Sequence, residues 1–541
     1  MAHQDGPATA SGEVVGGVLS IAGAVVTGHL LDHAITGPRP VVVGDLVGMP
    51  AGGGRAFGVV HGLRKGRRLD DAAVVEVHLL GEIAAVPAVA AGARPRPPTF
   101  RRGVSAFPAL DAPIARATPA EAATVYAQPA SPHVRVGSLR GNPAVPAYAL
   151  VDGLLGKHFA VLGSTGSGKS CAVAVILQAL LDSHAFAHVV LVDPHGEYAP
   201  AFGDRALALD TSNLELPYWL MTADEAAGVL VSGDGDRAYA EAAILRDAIL
   251  RAKQLYLGSV EAAEAGRLTV DTPVPYRLSD LVRVIEEAMG TLNKPEAAAS
   301  YRHLLARIAA VRADRRYAFM FQSLVLRDSM EAVLARLVRL PVQGRPVTVL
   351  DVSGVPSEIV DVVVSLLCRL LFELGLWSDR ASAVPVLLVC EEAHRYVPGD
   401  GGGAPVGPAR RAIDRIAKEG RKYGVSLCLV TQRPSELSPG SLSQCGTIVA
   451  LRMSNERDQA FVRDALPDGS DWLIRSLPAL GTGEAVIVGE GVSVPMQVVL
   501  DRLPPDRQPA SHTPSFSRAW SAEADPAVIG ATVARWRSQQ R

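Results

Sequence analysis

Short apolar runs separated by glycines and charged turns recur along the first part of the chain: Val14 to Ile21, Ala24 to Leu30, Pro40 to Met49, Gly58 to Leu63 and Ala73 to Leu80. Runs of that length at such close intervals predict a small antiparallel β-barrel over residues 1–92. Residues 93–129 change character. They are rich in Pro and Arg (Arg94, Arg96, Arg101, Arg102) and predict a linker. Beyond 130 the period changes again. Apolar runs of strand length (Phe159 to Leu162, Val189 to Val192, Val347 to Val352, Pro385 to Cys390, Val425 to Val430, Thr447 to Arg452, Gly483 to Val488) alternate with helical patterns such as Ala172 to Leu181 and Glu358 to Leu376. Strands without polar alternation are buried on both faces, so the pattern predicts an α/β core with a mostly parallel sheet over 130–214 and 341–503. Between these halves, residues 215–340 are helical in period throughout and read as an insertion. Residues 504–541 form a Pro-rich C-terminal arm that ends in one amphipathic helix near 526–537.

Composition adds limits more than it adds chemistry. The chain has 541 residues, 48% hydrophobic and 20% charged, an ordinary globular balance. A formal net charge of −2 excludes a global basic field, though not a ring whose few basic loops line a channel. The five cysteines lack C-x-x-C spacing and lie in apolar contexts, which predicts small core residues in a reducing compartment. Val14 to Leu31 is apolar enough to suggest a signal or membrane segment, but no Lys or Arg precedes it and glycines interrupt it. A cytoplasmic protein without a membrane segment is the expectation.

The candidate chemistry begins at Gly163. Gly163, Ser164, Thr165, Gly166, Ser167, Gly168, Lys169 and Ser170 satisfy G-x-x-x-x-G-K-[ST], with an apolar strand before them and Cys171 opening a helix after them. Glycines let the backbone turn its N–H groups toward an anion, and the helix N-terminus adds its positive dipole end. Lys169 would reach the β- and γ-phosphates of ATP, and Ser170 would ligate Mg²⁺. Hydrolysis also needs an acid to orient the metal and a group to position water. Leu387 to Cys390 leads into Glu391 and Glu392, which suit those two roles. Most P-loop enzymes carry Asp at the first position, so Glu391 is a departure. Gln432, at the tip of a neighbouring strand, suits a γ-phosphate sensor, with a solvated turn residue as the alternative. Arg421 leads the candidates for an arginine finger, ahead of Arg452 and Arg457, and each could equally be a surface or DNA-facing cation. The polar stretch from Asp193 to Tyr198 ends a buried strand, where α/β sheets place their ligands.

Six stretches resemble, in order, the HerA family of hexameric ATPases within the FtsK–HerA superfamily: HFAVLGSTGSGKS (158–170), VDPHGEY (192–198), LLVCEEAHRYVP (387–398), GRKYGVS (420–426), TQRPSELS (431–438) and LRMSNERD (451–458). The resemblance implies a RecA-like P-loop motor capped by a HAS-type barrel, working as a homohexameric ring that translocates on double-stranded DNA with ATP and Mg²⁺. It also implies a nuclease or anti-phage effector docked at the barrel. On the family's pattern Lys169 and Ser170 bind phosphate and metal, Glu391 and Glu392 serve hydrolysis, Gln432 senses the γ-phosphate, and Arg421 reaches a neighbour. Lys157 stands where some relatives carry a basic residue acting across the interface. The alternative is a nucleotide-stabilised ring scaffold that assembles and regulates an effector enzyme.

Overall fold

The computed structural model describes residues 12–65, 73–84, 98–231, 233, 235–258, 267–292, 298–321, 328–399, 407–466, 471–510, 516–521, 523 and 525–538. Seven strands build the N-terminal unit: β1 (Val14–Ala22), β2 (Val25–Leu30), β3 (Leu46–Ala51), β4 (Gly54–Arg64), β5 (Val74–Ile83), β6 (Phe100–Arg102) and β7 (Pro113–Arg116). Their order is β2-β1-β7-β3-β4-β5-β6, and an extra β2–β5 pairing closes six of them into a barrel with β6 appended. Closure removes the free edges that would otherwise template aggregation. Val15, Val18, Val47, Met49, Val60, Val77 and Ile114 fill the interior.

β6 and β7 lie inside the stretch whose composition reads as a linker, as does a capped helix at Pro119–Val125. The correction has a physical basis. Ile114 and Ala115 bury their side chains in the barrel, and the buried Arg116 guanidinium is neutralised by Asp45, so a segment rich in charge still closes the sheet. Arg101 pairs with Glu82 and Arg102 donates to the Gly489 carbonyl at 2.9 Å. Arg94 and Arg96 lie outside the described residues.

The second sheet has eleven strands: β8 (His133–Leu139), β9 (Asn142–Leu150), β10 (Phe159–Leu162), β11 (Val189–Asp193), β12 (Ala206–Leu209), β13 (Val347–Asp351), β14 (Val386–Cys390), β15 (Val425–Thr431), β16 (Thr447–Leu451), β17 (Glu484–Gly489) and β18 (Met496–Leu500). Their order is β12-β13-β11-β14-β15-β10-β16-β17-β18-β8-β9. The strands from β12 to β16 run parallel, and β17, β18, β8 and β9 extend the sheet antiparallel. The sheet is therefore mixed, and it continues past β17, which holds the last of the predicted apolar runs. In β18 the polar Gln497 interrupts the apolar pattern.

Helices cover both faces, as strands buried on both sides require. Lys169–Ser183 packs on one face through Ala172, Val173, Ile176 and Leu180. Val360–Trp377 and Pro408–Glu419 pack on the other, together with the helices Ala223–Leu230, Asp236–Leu257, Leu278–Gly290, Ala298–Ala313 and Met330–Val338. An ion pair fastens the first of these, Ala223–Leu230, to the core helix Val360–Trp377: Arg369 donates to Glu225 at 2.9 Å. The barrel sits on the core through Phe57, Val59 and Leu80 against Val494, with Trp472 alongside. All five cysteines are free; four are buried, but Cys171 is exposed and so is not the core residue its apolar context predicts. Among the described residues no helix is long and apolar enough to cross a membrane.

Candidate active site

β10 is the central strand of the eleven-stranded sheet, between β15 and β16, and delivers the phosphate-loop sequence at its carboxyl end. The loop is pinned to the neighbouring strand tips. Gly163 N–H donates to the Thr431 carbonyl at 3.3 Å, while Ser164 donates to the Arg452 carbonyl through both its N–H and its hydroxyl at 2.9 Å. Gly166 and Gly168 hold φ of 74° and 97°, left-handed conformations that side chains disfavour. Gly168 is the N-cap of the helix Lys169–Ser183, and no side chain caps it, which leaves its first N–H groups for an anion. The Ser167 hydroxyl is buried without a partner, and Lys169 folds back to donate to the Ser164 carbonyl at 3.2 Å. Burial pushes the Lys169 pKa down, against the pull of Glu391, Glu392 and Glu197. A buried cation facing unclaimed amides is what a polyphosphate would satisfy.

Glu391 directly follows β14 and is buried. Burial pushes its pKa up to about 8, with Glu392 and Asp193 adding to the rise and Tyr198 and Lys169 opposing it. The Tyr198 hydroxyl donates to Glu391 at 2.7 Å, and burial and Glu391 push its pKa up, with Ser170 opposing the rise. Tyr198 is itself fixed by Asp193, whose carboxylate accepts from the N–H groups of His195, Gly196 and Tyr198 at 3.1, 2.9 and 2.9 Å. The phenol therefore holds the strand-end glutamate in place. The Ser170 hydroxyl and the Glu391 carboxylate are hard oxygen donors of the kind that would hold magnesium. Among the described residues no group of three or more His, Cys, Asp or Glu could hold a metal alone.

Glu392 points elsewhere. Its φ is 51°, uncommon for a residue with a side chain, and it turns the carboxylate toward the tip of β15. Gln432 Nε2 donates to Glu392 Oε1 at 2.9 Å, and the other end of the same carboxamide accepts from the Thr165 hydroxyl. His394 Nδ1 stands 3.2 Å from Glu392 Oε2, and His195 Nε2 stands 3.7 Å from Oε1.

Not every expected residue joins this group. Cys171 lies in the first turn of the helix next to Ser170, and partial desolvation of its sulfur, reinforced by Glu197, raises its thiol pKa. Arg421 lies at the opposite end of the sheet, in a cleft of about 970 Å³ lined by the amino ends of β11, β14 and β15. Arg452 contributes only its carbonyl to the loop; Arg457 is exposed at the start of the helix Glu456–Asp464. Lys157 pairs with Glu490. The residues that pattern reading left without roles are Asp193, His195, Tyr198, His394 and Thr431. All sit within five residues of a strand's carboxyl end, and that position was the signal available.

Phosphate loop, strand-end glutamates and parallel sheet together define a P-loop ATPase. Residues 134–371 match the family model described as "Helicase HerA, central domain". The DNA double-strand break repair helicase HerA of Pyrococcus furiosus is 28% identical over 402 residues, covering 68% of this chain and 69% of that one. The protein of the same name from Sulfolobus acidocaldarius is 24% identical over 433 residues, covering 79% and 80%. The chain is similar to HerA helicases over its central region. Among solved structures, VirB4 of Thermoanaerobacter pseudethanolicus is similar with a TM-score of 0.48 at 16% identity, over 70% of this chain and 99% of that one.

Proposed function

We propose that this protein hydrolyses ATP in the pocket between Lys169 and the paired glutamates and uses the energy to move along double-stranded DNA as a homohexameric ring. The observation that carries the reading is the buried Lys169 of the phosphate loop within electrostatic reach of both Glu391 and Glu392, with the Tyr198 hydroxyl holding Glu391 at 2.7 Å. A magnesium ion held there would neutralise developing charge on the β- and γ-phosphate oxygens. The chain's own groups supply the rest. The loop amides and Lys169 bind the phosphates, Glu392 takes the proton of the attacking water, and Gln432 reports on the terminal phosphate through Thr165 and Glu392. Arg421, remote from its own phosphate loop, serves a neighbouring subunit's pocket.

Double-stranded DNA as the track is supported by relatives named as DNA break repair helicases. A nuclease or anti-phage effector docks at the barrel in this reading; Leu19, Phe107 and Leu110, exposed apolar residues of the N-terminal unit, support such a contact. The test is ATP turnover with and without duplex DNA, run beside displacement of a triplex-forming strand. Lys169→Ala is expected to lose nucleotide binding. Glu392→Gln is expected to keep binding and lose about 10²–10⁴-fold in turnover together with displacement. Wild-type turnover in Glu392→Gln would refute the assigned base, and ATP hydrolysis without strand displacement would refute the motor.

A further inference from the structure

His394 lies two residues beyond Glu392, in a tight turn at Ala393–Arg395 closed by Arg395 N–H donating to the Glu392 carbonyl at 2.9 Å. The turn returns the imidazole to the tip of β15. There Nδ1 is 2.9 Å from the Thr431 hydroxyl oxygen and 3.2 Å from Glu392 Oε2. Thr431 is completely buried, and its hydroxyl oxygen already accepts the Arg433 N–H at 3.0 Å. These contacts fix the tautomer. A bare Nδ1 lone pair would oppose the carboxylate oxygen, acceptor against acceptor, so the proton sits on Nδ1 and is shared between Thr431 and Glu392. Burial lowers the His394 pKa, against the pull of Glu392, which suits a neutral ring.

Glu392 is thus held from two sides. Gln432 grips Oε1, His394 faces Oε2, and Oε2 is buried with no fully formed hydrogen bond. Its backbone stays in the left-handed region, a strained arrangement that persists only where surrounding contacts enforce it. A carboxylate that must receive a water's proton gains from being fixed while one lone pair remains open.

We propose that His394 is a positioning residue for ATP hydrolysis: its Nδ1–H, anchored on the Thr431 hydroxyl, sets the orientation of the Glu392 carboxylate toward the attacking water. The proposal rests on the reading of Glu392 as the base. It touches neither the phosphates nor the metal ligands, so its loss lowers kcat and spares nucleotide affinity.

The side-chain chemistry offers a discriminating pair of substitutions. Asn places its amide N–H close to where His carries Nδ1, whereas Gln places it near Nε2. In the full-length protein, His394→Ala is expected to lower kcat by about 10–100-fold, with KM for ATP within about threefold of wild type and an unchanged Tm. His394→Asn should recover most of that loss and His394→Gln should not. Thr431→Val should lower kcat and add little to His394→Ala, because both act on one hydrogen bond. Wild-type turnover in His394→Ala overturns the proposal, and so does equal recovery by Asn and Gln or a loss tracking a fall in Tm. Glu392→Gln, assayed alongside, separates the two levels. If it turns over normally, the base assignment fails and this inference with it; if it is inactive while the His394 variants are not, only this inference fails.

Discussion

Glu391 and Glu392 are neighbours in sequence with opposite surroundings. Glu391 continues the strand direction and meets Tyr198, while Glu392 turns into a left-handed conformation and meets Gln432 and His394. Two carboxylates whose environments diverge are suited to separate tasks, one toward metal and one toward water. The pair was legible in the sequence because both acids follow four apolar residues. Tyr198 was not, since a tyrosine after a strand has many uses and only the fold brings it 2.7 Å from a residue 193 positions away. Tyr198→Phe keeps the ring packing and removes the hydrogen bond to Glu391. It is expected to raise the magnesium concentration for half-maximal turnover by about 3–10-fold, by analogy with other outer-shell partners of metal ligands. A magnesium titration of ATPase rate measures this, and an unchanged midpoint would remove Tyr198 from the site's design.

At the scale of elements, the barrel and the core meet around a histidine pair. His61 on β4 and His78 on β5 face Trp472, with ring centroids 6.2 and 6.3 Å away. Burial pushes both pKa values down. For His78 the value falls to about 4, with His61 adding to the drop; for His61, Glu76 opposes burial and Arg475 reinforces it. In the unfolded chain these rings protonate near 6.5, so between about pH 6.5 and 4 the unfolded state binds more protons. Their contribution to stability is therefore complete above pH 6.5 and is lost as pH falls toward 4. Thermal unfolding at pH 7.5 and 5 should show a Tm drop that is smaller by a few degrees in His78→Gln than in wild type. Equal drops in both proteins would exclude this contact as the acid-sensitive one. The periodicity that predicted a barrel could not reveal this junction, because a residue's own strand says nothing of what packs on its outer face.

For the whole molecule, the decisive feature is the distance between Arg421 and the phosphate loop, which occupy opposite ends of the parallel strands. An arginine placed there cannot serve its own pocket, whereas a head-to-tail ring brings one subunit's amino-end face to another's site. The consequence is complementation. Lys169→Ala and Arg421→Ala, each inactive alone, should regain a measurable fraction of wild-type ATPase activity when mixed and reassembled. A mixture as inactive as its components would rule out the arginine as a group donated between subunits.

The sequence by itself determined the local grammar of this protein: the phosphate loop, the acids at a strand end, the alternation of strand and helix, and the helical insertion. Each of these depends on residues close together in the chain, where spacing and apolar period carry the physics directly. Tertiary structure alone decided that β7 closes the barrel out of a Pro- and Arg-rich stretch, and that four antiparallel strands extend the parallel sheet. It alone joined Tyr198 to Glu391, and Thr165, Gln432, Glu392 and His394 to one another. The contacts of Tyr198 with Glu391 and of Thr165 with Gln432 span 193 and 267 residues, and they exist only because parallel strands gather their carboxyl ends on one edge of the sheet.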